Sequence, residues 1–287
     1  MRVSYLDRIK ACNNARLDGH LPLRIGGHRL GRVAPGFASV LEEWPELFIR
    51  GGDTIDLDPA QTTAEARSAA VAEVFGVLND RGLIHGWHDE LYAVKAQWSD
   101  PPVMLAERAA LPYLGLRSYG VHLTGYVPRA DGIHIWVARR ARDRANYPGM
   151  LDNTVAGGQP HDLTLMENLV KECGEEAAIP PSLAQTATAV GHVSYVEQPD
   201  PLRVKPDCMF CYDLELSADF VPRNTDGEIE SFELMPAAEV MGLVRDTEEF
   251  KPNCAVVLID FFVRRGLLGP QDDADYEAIT AGLRAGG

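Results

Sequence analysis

Glu172, Glu175 and Glu176 are the residues whose type and spacing suggest chemistry, because all three fall in a stretch that reads as one helix. Glu172 to Glu176 is an i, i+4 pair and Glu172 to Glu175 an i, i+3 pair. Each like-charged pair costs a helix roughly 0.2–0.5 kcal/mol. The three also occupy its last turns, where the helix dipole disfavours negative charge. In an acidic chain such a run is ordinarily a solvated face. Crowding, the unfavourable end of the dipole and a neighbouring glycine pair favour a hard divalent cation instead: Mg²⁺, or Mn²⁺ in its place, takes carboxylate and water oxygens and bridges to phosphates.

The surrounding residues define the element that must carry these acids. The segment reads A-G-G-Q-P-H-D-L-T-L-M-E-N-L-V-K-E-C-G-E-E-A-A-I-P from Ala156 to Pro180. Thr164 and Glu167 form an S/T-x-x-E capping box that opens a helix, and Pro180 and Pro181 close it. Met166, Leu169, Val170, Cys173 and Ala177 make the buried stripe. Glu167 and Lys171, i and i+4 with the acid first, are expected to pair on the other flank.

This stretch resembles the signature of the Nudix hydrolases: G, five residues, E, seven residues, then R-E-U-x-E-E-x-G-U, with U bulky and apolar. Aligning the paired glutamates places Gly157 first, Glu172 at the acid after Arg, Glu175 and Glu176 at E-E, and Ile179 at the last U. Leu163 stands in place of the early Glu, Lys171 in place of Arg, and Ala178 in place of the second Gly; Cys173 is a small U. The resemblance implies that Glu172, Glu175 and Glu176, with the Ala156 carbonyl, hold Mg²⁺. Gly157, Gly158 and Lys171 are then structural members of the motif. The likeness spans roughly residues 114–269. The phrases L-T-G-Y-V, P-G-M-L-D-N-T-V-A-G-G and E-N-L-V-K-E-C-G-E-E-A are similar to the branch related to the Nudix part of thiamine pyrophosphokinase proteins, which implies a thiamine diphosphate type of substrate.

Composition sets outer limits. The 287 residues are 46% hydrophobic and 24% charged, enough for one large or two ordinary cores. A formal net charge of -15 argues against nucleic-acid backbones and anionic membranes. No apolar run reaches the length of a membrane helix, and the first residues lack a signal-peptide core, so a cytoplasmic protein is expected. Five cysteines, an odd and mostly dispersed set, exclude a disulfide framework. Cys208 and Cys211 lack the second ligand pair that zinc requires and read as core residues.

Along the chain, residues 4–15 read as a short helix and residues 21–59 as short strands. Residues 62–81 read as a capped helix, 83–94 as strand and turn, and 104–112 as a helix. G-G-H-R-L-G-R from Gly26 has a partial likeness to a phosphate loop but lacks its Lys and Ser/Thr; a hairpin turn is expected. His85 and His88 have no carboxylates to complete a metal set. Strands at 121–127 and 133–138 flank the turn Asp131-Gly132, and strands at 187–196 and 204–216 flank a proline-rich loop. A strand at 228–235 and helices at 236–244, 253–265 and 275–284 follow.

These readings converge on an α/β chain: a Nudix α/β/α sandwich with a mixed sheet over residues 114–287, preceded by a smaller α+β domain over 1–113. The N-terminal region has a lid, a specificity wall or a homodimer surface as its open roles. The expected reaction is metal-assisted hydrolysis of a small-molecule diphosphate. Either Glu175 or Glu230 takes the proton of the attacking water. Glu228 shares a strand face with Glu230, so either acid can be the one delivered. Arg139, Arg140, Arg203 and Lys205 are candidates for gripping the phosphates. A catalytically silent binding or regulatory module and a diphosphate isomerase on the same fold are the alternatives.

Overall fold

The computed structural model describes residues 4–144 and 146–286. The N-terminal part contains α1 (Tyr5–Cys12), β1 (Leu21–Ile25), β2 (His28–Val33), α2 (Pro35–Leu41), β3 (Phe48–Gly51), β4 (Thr54–Leu57) and α3 (Ala64–Asp80). After these come β5 (Leu91–Val94), β6 (Met104–Glu107), a 3-10 turn over Arg108–Ala110 and α4 (Leu111–Leu114). Strands β1 to β4 form a sheet in the order β2-β1-β4-β3, and β5 and β6 make a separate antiparallel hairpin. Gly26 and Gly27, both at positive φ, turn the β1–β2 hairpin, as the G-G-H-R-L-G-R segment suggested.

Residues 104–112 depart from the expected helix. Met104–Glu107 is a strand opposite β5, and the helix begins only at Leu111. Met104 and Ala106 point into the apolar cluster formed with α3, so burial of alternate residues prevails over their helix propensity.

The second half supplies β7 (Ser118–Arg129), β8 (Gly132–Arg140), β9 (Leu151–Asp152), β10 (Val155–Gly158), α5 (Leu165–Ala177) and α6 (Pro181–Ala184). It continues with β11 (Thr188–Asp200), β12 (Arg203–Glu215), β13 (Ile229–Pro236), α7 (Ala237–Asp246), α8 (Pro252–Arg264) and α9 (Tyr276–Gly282). The main sheet runs β11-β12-β7-β8-β13, with β10 beside β7 and β9 beside β8. It is mixed, because β12 is parallel to β7 while β8, β10 and β11 pair antiparallel to their neighbours. The proline-rich loop expected after Val196 is instead a tight turn between Asp200 and Arg203, with a register shift between Glu197 and Asp200.

Strand alternation sends side chains to two cores. Val137, Met209 and Cys211 face α8, whereas Val121, Tyr212 and Leu214 face α5. This is the α/β/α sandwich. Helix α1, although first in the chain, packs on α8 and α9, with Tyr5, Ile9 and Cys12 buried in the α8 core. All five cysteines are free and buried.

Candidate active site

Helix α5 starts where its cap requires. The Thr164 hydroxyl accepts from the Glu167 amide at 3.3 Å, and Glu167 Oε2 accepts from the Thr164 amide at 2.9 Å. Glu167 is thereby committed to the cap and does not pair with Lys171, contrary to the sequence expectation. Lys171 Nζ lies 2.7 Å from Glu175 Oε2 and 3.3 Å from Glu172 Oε1. At the far end Ala178 adopts the left-handed conformation at φ 51°, and the Ile179 amide donates to the Cys173 carbonyl at 2.9 Å.

The helix directs the three acids differently. Glu175 is 47% exposed and held by Lys171 at the rim. Glu172 and Glu176 turn toward strand β10. Glu176, 5% exposed, accepts the Ala156 amide on Oε2 at 2.9 Å. Glu172 lies against Gly157, where a β-carbon would come within 2.4 Å of its carboxyl carbon. At the next residue, Gly158, a β-carbon would meet the Tyr92 hydroxyl at 1.6 Å and the Arg108 guanidinium carbon at 3.6 Å. Three consecutive residues of β10 therefore carry, in order, a buried acid, a second acid, and a pair made of Tyr92 from β5 and Arg108 from the 3-10 turn after β6. The paired glycines are required by these close approaches.

Electrostatics separates Glu176 from the other buried acids. Asp152 is held by Arg140 at 2.9 Å and Lys251 at 3.6 Å, and these cations keep its carboxyl below the usual range despite burial. Asp213 has Arg264 and Arg265; Asp260 has Arg264 and Arg284. Glu107 has no cation at ion-pair distance among the described residues but accepts three amides, from His88, Glu90 and Ala109. Glu176 accepts one amide and, among the described residues, has no cation at ion-pair distance. Burial, then the charge of Asp152, pushes its carboxyl well above the usual value; the Ala156 amide opposes this, while Glu172 and Glu228 add to it. Glu172 is pushed up chiefly by burial, partly offset by Lys171.

Glu176, buried and with no cation at ion-pair distance among the described residues, and Glu172, 16% exposed and shared with Lys171, form a donor set suited to a hard divalent cation. Among the described residues no three His, Cys, Asp or Glu side chains form a ready-made cage.

The structure separates Glu228 from Glu230. Glu228 pairs with Arg144 at 2.8 Å, and its charge reaches both Glu172 and Glu176. Glu230 pairs with Arg142 at 3.4 Å. A register shift in β13 between Ile229 and Ser231 breaks the simple alternation that would have turned both acids the same way.

The expected phosphate-gripping residues are occupied elsewhere. Arg140 is buried on Asp152 and on the Asn146 carbonyl, which corrects the expectation that it faces a phosphate: a strand-end arginine has become the counter-ion of a core acid. Arg139 donates to the Gly149 carbonyl at 2.9 Å and faces Glu249. Arg203 pairs with Asp200 and lies over the Tyr113 ring, while Lys205 lies between Glu197 and Asp207.

Sequence reasoning missed Tyr92, Arg108, Lys95 and Trp98, whose positions depend on how the β5–β6 hairpin docks. Tyr92 lines a cleft of 520 Å³ whose walls include Lys95, Trp98, Tyr119, Gln159 and Tyr212. Trp98 packs against Tyr119 and Phe210 with ring centroids 4.9 and 4.8 Å apart, and Lys95 Nζ lies 4.7 Å from the Trp98 ring. The cleft reaches the Gly158 end of β10 through Tyr92 and Gln159.

Residues 4–118 match a family described as a domain of unknown function, DUF4743. The chain is 42% identical over 271 residues to Nudix hydrolase 24, chloroplastic, of Arabidopsis thaliana, covering 93% of this chain and 74% of the relative. It is 41% identical over 278 residues to Nudix hydrolase 20, chloroplastic, of the same plant, with the same coverage. A solved protein from Deinococcus radiodurans aligns over 59% of this chain and 97% of its own, at 20% identity and a TM-score of 0.44. Among the described residues no helix is long and apolar enough to cross a membrane.

Proposed function

The chain belongs to the Nudix hydrolase family, as a pyrophosphohydrolase, and from that premise we propose that it hydrolyses a diphosphate bond in a small organic diphosphate with Mg²⁺ held on Glu172 and Glu176. The supporting observation is the buried Glu176 carboxylate, which accepts one backbone amide and, among the described residues, has no cation at ion-pair distance, whereas the buried aspartates 152, 213 and 260 each have two.

When bound, the metal supplies positive charge for the phosphate oxygens and for the charge that develops as the bridging bond breaks. The chain's own residues do the rest. The Ala156 amide fixes the Glu176 rotamer, and Gly157 lets Glu172 approach the strand. Glu228, whose charge acts on both acids, is our first candidate to accept the proton of the attacking water once its ion pair with Arg144 opens. Glu175 stays with Lys171 at the rim; for it to act as ligand or base that pair must open. Glu230 is the next candidate base once Arg142 is displaced.

The organic part belongs to the same proposal. A nucleoside or thiamine diphosphate fits a cleft with aromatic walls and one lysine, and thiamine diphosphate is favoured by the sequence likeness. The working division of the chain is residues 1–113 and 114–287, with α1 crossing to the second core.

The test is a panel of thiamine diphosphate, nucleoside di- and triphosphates and nucleotide sugars, assayed with Mg²⁺ and with Mn²⁺ and with the products identified. Release of a monophosphate or inorganic phosphate is expected from at least one. Rearrangement with the diphosphate retained identifies an isomerase. Binding without turnover across the panel identifies a silent module.

A further inference from the structure

The order of groups along β10 points beyond the helix acids. Tyr92 is 3% exposed, its hydroxyl presses on Gly158, and among the described residues that hydroxyl has no hydrogen-bond partner. A phenol buried to this degree ordinarily finds a partner. Beside it, Arg108 holds its guanidinium 5.7 Å from the Tyr92 ring centre and pairs with Glu90 at 3.1 Å, with both side chains a third or more exposed. The negative charge of Glu172 reaches Tyr92 and Arg108 alike. An unpartnered donor and a partly free cation thus lie one residue along the strand from an acid suited to a metal. The same tyrosine forms part of the cleft that leads to Trp98 and Tyr119.

We propose that the β5–β6 hairpin and the 3-10 turn after it complete the hydrolytic site, with Tyr92 and Arg108 binding the phosphate end of the substrate beside Glu172 and the Trp98–Tyr119 wall receiving a planar ring at its other end. This rests on the diphosphate hydrolase reading. A phosphoryl oxygen is the acceptor that the Tyr92 hydroxyl lacks, and the planar fork of Arg108 matches two such oxygens. In a chain of net charge -15, an anion needs local positive charge to approach; Lys95 lines the cleft, and Arg108 lies beside Tyr92 near Gly158. The aromatic wall suits a flat ring, which stacks with little conformational cost. The N-terminal region is then part of the active site.

The test is calorimetric titration of the full chain in Mg²⁺ with two probes, inorganic pyrophosphate and adenosine 5′-(α,β-methylene)diphosphate, which cannot be cleaved at its methylene bridge. Arg108→Gln is expected to weaken both probes about tenfold, the scale of one lost charge-assisted contact, at an unchanged thermal midpoint. Tyr92→Phe deletes a single oxygen without changing the packing, and is expected to weaken both severalfold. It carries the test should Arg108→Gln fail to fold. Trp98→Ala is expected to weaken the ring-bearing probe and leave pyrophosphate unaffected.

Wild-type affinity for pyrophosphate in Arg108→Gln and Tyr92→Phe overturns the phosphate half, as does a wild-type chain that binds neither probe. Unchanged affinity of Trp98→Ala for the ring-bearing probe overturns the ring half. Because binding is read without turnover, a chain that binds as predicted but hydrolyses nothing removes the hydrolase reading alone.

Discussion

The Ala156 amide donates a 2.9 Å hydrogen bond to Oε2 of Glu176, tying the next-to-last residue of helix α5 to the edge of strand β10. The bond fixes the position of a carboxylate that, among the described residues, has no cation at ion-pair distance. Burial and the nearby Asp152 oppose its ionisation, and a single amide offsets only part of that penalty. A carboxylate in this situation either stays protonated or acquires a cation.

The pH dependence of stability follows from the same acids. Glu172 and Glu176 have folded-state values above the ordinary 4.5, so the folded chain binds more protons than the unfolded one. Their stabilising contribution is complete below that ordinary value and is lost as pH rises through the folded values. In the presence of a chelator, the thermal midpoint should fall as pH rises from about 5 toward neutral. Mg²⁺ should reverse part of that fall, and Glu176→Gln should flatten it. Differential scanning fluorimetry across that range measures all three, and identical slopes in the parent and Glu176→Gln would refute the assignment.

Gly157 sets how closely Glu172 can approach β10. Its φ is not in the left-handed region, so alanine is tolerated by the backbone, but the added β-carbon lies 2.4 Å from the Glu172 carboxyl carbon. Gly157→Ala should displace Glu172 and lower turnover on the order of 10²-fold, the cost of an ångström-scale misplacement. Stability should change little by comparison. Steady-state kinetics with a thermal melt separates the two effects.

Ala178 occupies a left-handed position at the end of α5, where glycine has no steric penalty. Ala178→Gly should stabilise the chain by about 0.5–1 kcal/mol, with kcat unchanged, because the change removes one methyl group from the helix cap and leaves every carboxylate of the site in place. Equilibrium denaturation in urea provides the measurement; a destabilised variant would show that the αL strain is already relieved by other contacts.

What could be read from the sequence was whatever local pattern alone decides. The Thr164–Glu167 box, the apolar stripe of Leu169, Cys173 and Ala177, and the Asp131-Gly132 turn each specify their element within a few residues, and each appears as read. Partners distant in sequence could not be read. Arg140 is one of two arginines at a strand end, and nothing nearby shows that Asp152 will claim it. Lys171 had glutamates available at 167, 172 and 175; the capping box took the first, leaving Lys171 to the other two. Tyr92 and Arg108 reach Gly158 only through the packing of a hairpin whose second strand was read as helix.

Turnover of Glu176→Gln at saturating Mg²⁺, on whichever diphosphate the parent cleaves best, tests the central claim most directly. The substitution preserves size and shape and removes the charge that a cation needs. The account predicts that kcat falls by at least about 10²-fold, with the thermal midpoint in chelator equal to or above that of the parent. Parental turnover in a folded Glu176→Gln would contradict it.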